Sequence, residues 1–115
     1  MKATILGAGN IGMALAEGLA ESGACKKQDI TLTKRNAKAL AELQKKGFKT
    51  SLSNSEAIKG ADTIFVCVLP QQLNELLEEI RPAVNTKKQL IVSVVTGVHT
   101  SVFKNILGDQ TRIIR

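Results

Sequence analysis

The segment ATILGAGNIGMALAEGLAESG, residues 3–23, decides the fold. Ala3 to Leu6 form a short β-prone run closed by Gly7, after which the apolar spacing changes from two to about 3.6. On that spacing Ile11, Ala14, Leu15, Gly18 and Leu19 share one helical face, and Ser22-Gly23 supplies a helix stop able to take a positive φ. Gly7, Gly9 and Gly12 fit the pattern G-x-G-x-x-G, which recurs by chance in unrelated chains. Here it follows a strand directly, opens an amphipathic helix and precedes a second strand at a suitable distance, the context that gives the motif meaning. In such a turn the first glycine makes the bend, the second lets the backbone approach a pyrophosphate, and the third lets helix and strand pack closely. Unpaired N–H groups near Asn10 and Ile11 would then meet the phosphates at the positive end of the helix dipole. The alternative is a glycine turn that serves strand–helix packing alone.

Working outward, strands and helices alternate to the last residue. DITLT (29–33) reads as a strand and Ala37 to Lys46 as a helix stopped by Gly47. FKTSL (48–52) is a weaker strand, and Ser53 with Glu56 has the spacing of a capping box for a short helix reaching Gly60. DTIFVCVL (62–69) is a continuous apolar run between Asp62 and Pro70, expected to be a central strand buried on both faces. In QQLNELLEEI (71–80) Leu73, Leu76, Leu77 and Ile80 keep helical spacing, with Pro82 beyond the end. QLIVSVV (89–95) is a second candidate central strand, TGV (96–98) a turn, Thr100 the cap of a helix to Leu107, and TRIIR (111–115) a sixth strand. This order demands right-handed crossovers and implies an α/β, doubly wound, mostly parallel sheet of about six strands with helices on both faces, the Rossmann-like arrangement.

The 115 residues amount to one domain, without internal repeats or a linker. With 43% apolar and 23% charged residues the chain reads as globular rather than disordered or fibrous. Sixteen Lys and Arg against 10 Asp and Glu give +6, which favours anionic partners in general. Nucleic acid is not expected, because the cations are scattered in pairs and no aromatic residues stand ready to stack on bases. Cys25 and Cys67 form no C-x-x-C pair, so neither a metal site nor a disulfide framework is expected. Two free thiols fit a reducing compartment, and the N-terminal apolar run is broken by glycines, Asn10 and Glu17, so no signal peptide or membrane span is read and the cytoplasm is expected.

The stretch after the second strand, TLTKRNAKAL (31–40), bears on the ligand. Many dinucleotide-binding folds place an acid here to accept hydrogen bonds from the adenosine ribose, whereas this chain has Lys34, Arg35 and Asn36. Asp29 precedes the strand and lies at its wrong end. A 2′-phosphate matches this set better than a bare hydroxyl: Arg35 for a bidentate contact, Lys34 as a point charge and Asn36 as an amide donor. NADP (NADPH) is therefore expected over NAD. The alternative is a solvated charge pair, with Asn36 capping the second helix.

Together, ILGAGNIGMALAEGL, TKRN, CVLPQQL and SVVTGV resemble, in order and across essentially the whole chain, the N-terminal domain of the pyrroline-5-carboxylate reductases. The resemblance implies NAD(P)H-dependent reduction of the C=N bond of 1-pyrroline-5-carboxylate, a cyclic imino acid, to L-proline. By position, Gly7, Gly9, Asn10, Ile11 and Gly12 would hold the pyrophosphate, and Lys34, Arg35 and Asn36 would surround the 2′-phosphate. Val68, Leu69, Pro70 and Gln71 would line the ribose and nicotinamide side, and Thr96 and Gly97 would approach the nicotinamide. The family usually has Lys where Leu69 stands and a small residue where Thr96 stands. It also continues past the sixth strand into a helical domain that forms the homo-oligomer and carries much of the substrate site, which is absent from these residues. The chain is thus expected to be a dinucleotide-binding domain, residues 1–115, that holds cofactor without turnover, and no catalytic residue is assigned within it. Competing readings are another NADP-dependent oxidoreductase, of the coenzyme F420-dependent or 3-hydroxyacid type, and a stand-alone nucleotide-sensing module. Cys67 reads as a core thiol, His99 as a surface residue, and Glu75, Glu78 and Glu79 as the solvated face of a helix.

Overall fold

In the computed structural model, which describes residues 1–115, the alternation becomes a single six-stranded sheet in the order β3-β2-β1-β4-β5-β6, every neighbouring pair parallel. The strands are β1 (Ala3–Leu6), β2 (Ile30–Thr33), β3 (Lys49–Ser51), β4 (Thr63–Val66), β5 (Leu90–Ser93) and β6 (Arg112–Ile114). The helices are α1 (Asn10–Glu21), α2 (Ala37–Lys45), α3 (Asn54–Ala57), α4 (Leu73–Ile80) and α5 (Thr100–Leu107). The order of strands reverses direction between β1 and β4, so the chain ends of those two strands open a crevice that no crossover closes.

Side chains alternate across the pleat, and this divides the core in two. Ala3 and Ile5 of β1 join Ile30 and Leu32 of β2 beneath α1 and α2, together with Ala16, Leu40 and Leu43. Leu6, Ile64, Val66 and Ile91 face the opposite way and pack against α3, α4 and α5 through Ile58, Leu73, Leu77, Ile80 and Phe103. Leu73, Leu76, Leu77 and Ile80 are all buried, as their spacing predicts, and Pro82 falls in a 3-10 turn just past the helix.

Three local expectations are corrected. First, α1 fully buries only Gly12 and Ala16; of the expected stripe, Leu15 and Leu19 are half-buried against the same core, while Ala14, Gly18 and Ile11, the last 59% exposed, face outward. The helix meets the sheet most closely through its small residues, with the bulkier Leu15 and Leu19 flanking that contact. Second, β4 and β5 are fully buried on one face only; Thr63, Phe65, Leu90 and Val92 are half-buried. Their exposed face is continuous with that of β6, where Ile114 is 54% exposed, because α1 and α2 pack over β1 and β2 instead. Third, the cap of α5 is His99, whose Nδ1 accepts from the N–H of Ser101 at 3.1 Å, so Thr100 is already the first helical residue. His99 is exposed, as expected of a surface residue.

Buried polar groups pin the ends of the sheet opposite the crevice. Gln89, 4% exposed, donates from Nε2 to the carbonyls of Ile58 (2.7 Å) and Ala61 (3.0 Å) and accepts from the Asn85 N–H through Oε1 (2.9 Å). Thr4 Oγ1 donates to the Ala57 carbonyl at 2.6 Å. At the same end, the backbone N–H of Lys2 donates to Asp62 Oδ2 at 2.9 Å. No helix is long and apolar enough to cross a membrane.

One side chain thus satisfies two buried carbonyls and a third, part-buried backbone group. Gln89→Ala is expected to cost about 2 kcal/mol, because burying unpaired carbonyls is expensive, and to lower the thermal midpoint by roughly 10 °C. Differential scanning calorimetry of the two proteins measures it directly.

Candidate functional site

The turn between β1 and α1 is built by three glycines that do different things. Gly7 has φ +93°, and a Cβ there would stand 2.9 Å from the Cys67 carbonyl oxygen and 3.0 Å from Val68 Cγ1. A Cβ on Gly12 would lie 2.5 Å from the Gly7 carbonyl oxygen and 3.2 Å from Ile5 Cγ2. Both positions therefore exclude any side chain by packing. Gly9 is different: a Cβ there meets nothing within 4 Å, and its φ of −84° with ψ −159° is open to any residue. No contact within the protein crowds position 9, so the outer side of the turn is open there, and glycine also serves as the N-cap of α1.

Hydrogen bonds hold the turn rigid. Ala8 N–H donates to the Thr33 carbonyl at 2.8 Å, Gly7 N–H donates to Thr33 Oγ1 at 3.3 Å, and Gly9 N–H donates to the Gly7 carbonyl at 2.9 Å. The first helical bond nearby runs from Met13 N–H to the Gly9 carbonyl at 2.9 Å, and no side chain caps the helix. The N–H groups at the start of α1 point out of the helix end with its partial positive charge, an arrangement suited to an anion.

These N–H groups face a crevice of about 630 Å³ at the C-terminal ends of β1, β2 and β4. Gly7, Gly9, Asn10 and Ile11 line it from the glycine turn, Lys34 and Arg35 from the segment after β2, and Val68 and Leu69 from the segment after β4. Six expected residues stand outside this lining. Gly12 faces inward under α1; Pro70 and Gln71 are exposed on a 3-10 turn leading into α4; Thr96 and Gly97 are exposed in the turn after β5, where Gly97 has φ +74°. Asn36 caps α2, its Oδ1 accepting from the N–H groups of Lys38 (2.9 Å) and Ala39 (3.4 Å), so its carbonyl oxygen is committed to the helix.

Other residues that line the crevice do not announce themselves in the sequence. Thr33, 3% exposed, reaches the glycine turn only because the register sets it opposite Leu6. Leu52 and Asn54 come from the junction of β3 and α3, and Leu52 is 64% exposed. Gln72 Oε1 accepts from the Leu69 N–H at 3.2 Å and fixes the exit from β4. The three glutamates of α4 part company: Glu75 and Glu79 line the crevice, while Glu78 pairs with Arg81 at 3.7 Å away from it. Spacing alone does not separate them, since both 78 and 79 lie about one turn from 75; the packing of α4 against the sheet decides which carboxylates face the crevice.

Cys67 also lines the crevice, half-buried, and burial pushes its thiol up to about 11. Cys25 is buried, its thiol likewise raised chiefly by burial. Neither is an activated nucleophile, since reactive cysteines need a lowered pKa.

A parallel sheet of this order, with a glycine turn at its reversal point and the crevice above it, defines a Rossmann-like doubly wound domain of the dinucleotide-binding class. The chain belongs to the family described as NADP oxidoreductase, coenzyme F420-dependent, whose model matches residues 2–97. It is similar to two reductases of Dictyostelium discoideum. It is 37% identical over 111 residues to pyrroline-5-carboxylate reductase 1, covering 96% of this chain and 20% of that protein. It is 38% identical over 114 residues to pyrroline-5-carboxylate reductase 2, covering 96% of this chain and 38% of that protein. The structure of a pyrroline-5-carboxylate reductase from Coxiella burnetii superimposes with a TM-score of 0.90 at 28% identity, over 97% of this chain and 42% of that one. A pyrroline carboxylate reductase of Plasmodium falciparum, solved with NADP bound, shares the fold with a TM-score of 0.82 at 24% identity, over 98% of this chain and 40% of that one. The chain thus spans well under half the length of each of these relatives.

The glycines predict separable outcomes. Gly12→Ala is expected to destabilise the protein by about 2–3 kcal/mol through the clash with the Gly7 carbonyl, whereas Gly9→Ala stays within about 1 kcal/mol of the parent; urea unfolding of both distinguishes them. Cys67, with so little thiolate near neutrality, is expected to react with iodoacetamide at pH 7.5 more than a hundredfold more slowly than a free cysteine, and to accelerate about tenfold per pH unit up to about 11. Mass spectrometry of the alkylated peptide follows this.

Proposed function

We propose that this chain is the NADP-binding part of a reductase that passes hydride from NADPH to the C=N bond of 1-pyrroline-5-carboxylate, giving L-proline. The observation that carries the cofactor assignment is the juxtaposition in one crevice of the outward N–H groups at Asn10 and Ile11 with the cations Lys34 and Arg35, and with no acid at the end of β2. The family's description as NADP oxidoreductases supports the same cofactor. The substrate assignment rests on the similarity to the two Dictyostelium enzymes and to the Coxiella one, all named pyrroline-5-carboxylate reductases.

When bound, NADPH supplies the hydride. The residues of this chain bind and orient it. The N-terminus of α1 receives the pyrophosphate over the bare Cα of Gly9; a side chain there would occupy the space the phosphates need. Lys34 and Arg35, both exposed beyond the end of β2, receive the 2′-phosphate, Arg35 through its planar fork. Val68 and Leu69, with the backbone stiffened at Pro70, turn the cofactor toward the reacting end, and Thr96 with Gly97 forms the neighbouring turn, where the absence of a Cβ leaves room for a flat ring. Asn36 contributes its amide N–H, since its oxygen is held by α2. Substrate contacts and the homo-oligomeric interface belong, in this reading, to a helical domain outside residues 1–115. Two free cysteines fit a reducing cytoplasm.

Fluorescence titration with NADPH and NADH tests the reading. NADPH is expected to bind the more tightly, and Arg35→Ala to weaken NADPH by about tenfold or more, the loss of a charged hydrogen bond of roughly 1.5 kcal/mol, while leaving NADH nearly unchanged. Equal affinity for the two cofactors, or an Arg35→Ala protein that still binds NADPH as the parent does, would remove the 2′-phosphate from this segment.

A further inference from the structure

The crevice carries a second charge pattern that the cofactor assignment does not use. Its cationic side chains are Lys34 and Arg35, and facing them from α4 are two carboxylates, Glu75 and Glu79. Arg35 Nη2 stands 3.9 Å from Glu75 Oε1, a pair bridging the segment after β2 and the first turn of α4 across the mouth of the crevice. The side chains are 80% and 82% exposed, so the pair is free to exchange with solvent or with a ligand. Glu75 lies in the first turn of its helix, where a carboxylate is favourable to the helix dipole. The crevice is therefore locally neutral although the protein as a whole carries +6.

We infer that Glu75 is a specificity-determining residue that moderates the preference for NADP over NAD, an inference that rests on the 2′-phosphate site proposed above. A 2′-phosphate approaching Arg35 must displace Glu75 from the guanidinium, so whatever the Arg35–Glu75 pair contributes is subtracted from its binding. A ribose hydroxyl brings no such charge, so the Arg35–Glu75 pair stays intact beside NAD. Glu75 thus weakens the phosphorylated cofactor and leaves the other untouched.

The test compares 2′,5′-ADP with 5′-AMP, which differ only in the 2′-phosphate, and NADPH with NADH, in the parent protein, Glu75→Gln, Arg35→Ala and the double variant. Glu78→Gln serves as the control for net charge, since its carboxylate pairs with Arg81 outside the crevice. Glu75→Gln is expected to tighten 2′,5′-ADP and NADPH about two- to fivefold in dilute buffer, to leave 5′-AMP and NADH essentially unchanged, and to lose most of its gain at high salt. In the Arg35→Ala background the gain should largely vanish. Equal binding by Glu75→Gln and the parent, a gain shared by Glu78→Gln, or a gain that survives without Arg35 each overturns the inference. In the first of these outcomes a parent that still prefers 2′,5′-ADP leaves the NADP assignment standing; a parent with no such preference overturns both.

Discussion

The close seating of α1 on its own turn is the constraint from which the rest of the molecule follows. The Cα of Gly12 lies so near the Gly7 carbonyl that a Cβ would sit 2.5 Å from that oxygen, and Gly7 itself lies against the Cys67 carbonyl at the end of β4. These two approaches fix where the helix starts, which way its end points and how β1 meets β4 at the reversal of the sheet. A helix set farther out would leave its N–H groups pointing past the crevice instead of into it. The small residue at 16 continues the same close seating, and Met13 and Leu15 pack beside it against the core.

That is also why the sequence read well in some places and poorly in others. Periodicity found every strand and helix in order, because alternation and the 3.6 spacing arise from backbone geometry that holds in any fold. It gave the inward face of α4 without error, since Leu73, Leu76, Leu77 and Ile80 are large and their burial dominates. On α1 it was partly right: Leu15 and Leu19 pack against the core, but hydrophobic size also points to Ile11, which is exposed, and misses Gly12 and Ala16, which the sheet takes for their smallness. Continuous apolar runs at β4 and β5 likewise promised burial on both faces, but a strand's neighbours decide that, and α1 and α2 sit over the other half of the sheet.

The candidate site was legible where a backbone property is encoded in residue type. Glycines at 7, 9 and 12, the cations at 34 and 35, and the strand ends at 68 and 69 are all local features, and the fold brings all but Gly12 to one crevice. Gly12 has its place beneath it. What the sequence could not supply is what register and crossover bring from afar: Thr33 opposite Leu6, Leu52 and Asn54 from the far edge, Glu75 from a helix forty residues beyond Arg35. Asn36 shows the reverse, a residue whose type allows both a ligand contact and a helix cap, with the cap visible in the structure.

Thr33 links two parts of the crevice that are otherwise separate. Its hydroxyl and carbonyl receive the N–H groups of Gly7 and Ala8, and the next residue along the chain is Lys34. The glycine turn and the cationic segment are therefore joined by one strand pair, and the span between them is set by the ladder of β1 and β2 rather than by loops free to adjust. In the reading proposed above, this makes the domain a gauge of nucleotide length: a ligand whose two anionic groups match that span would engage both ends at once, and one that is shorter or longer would give up one of them.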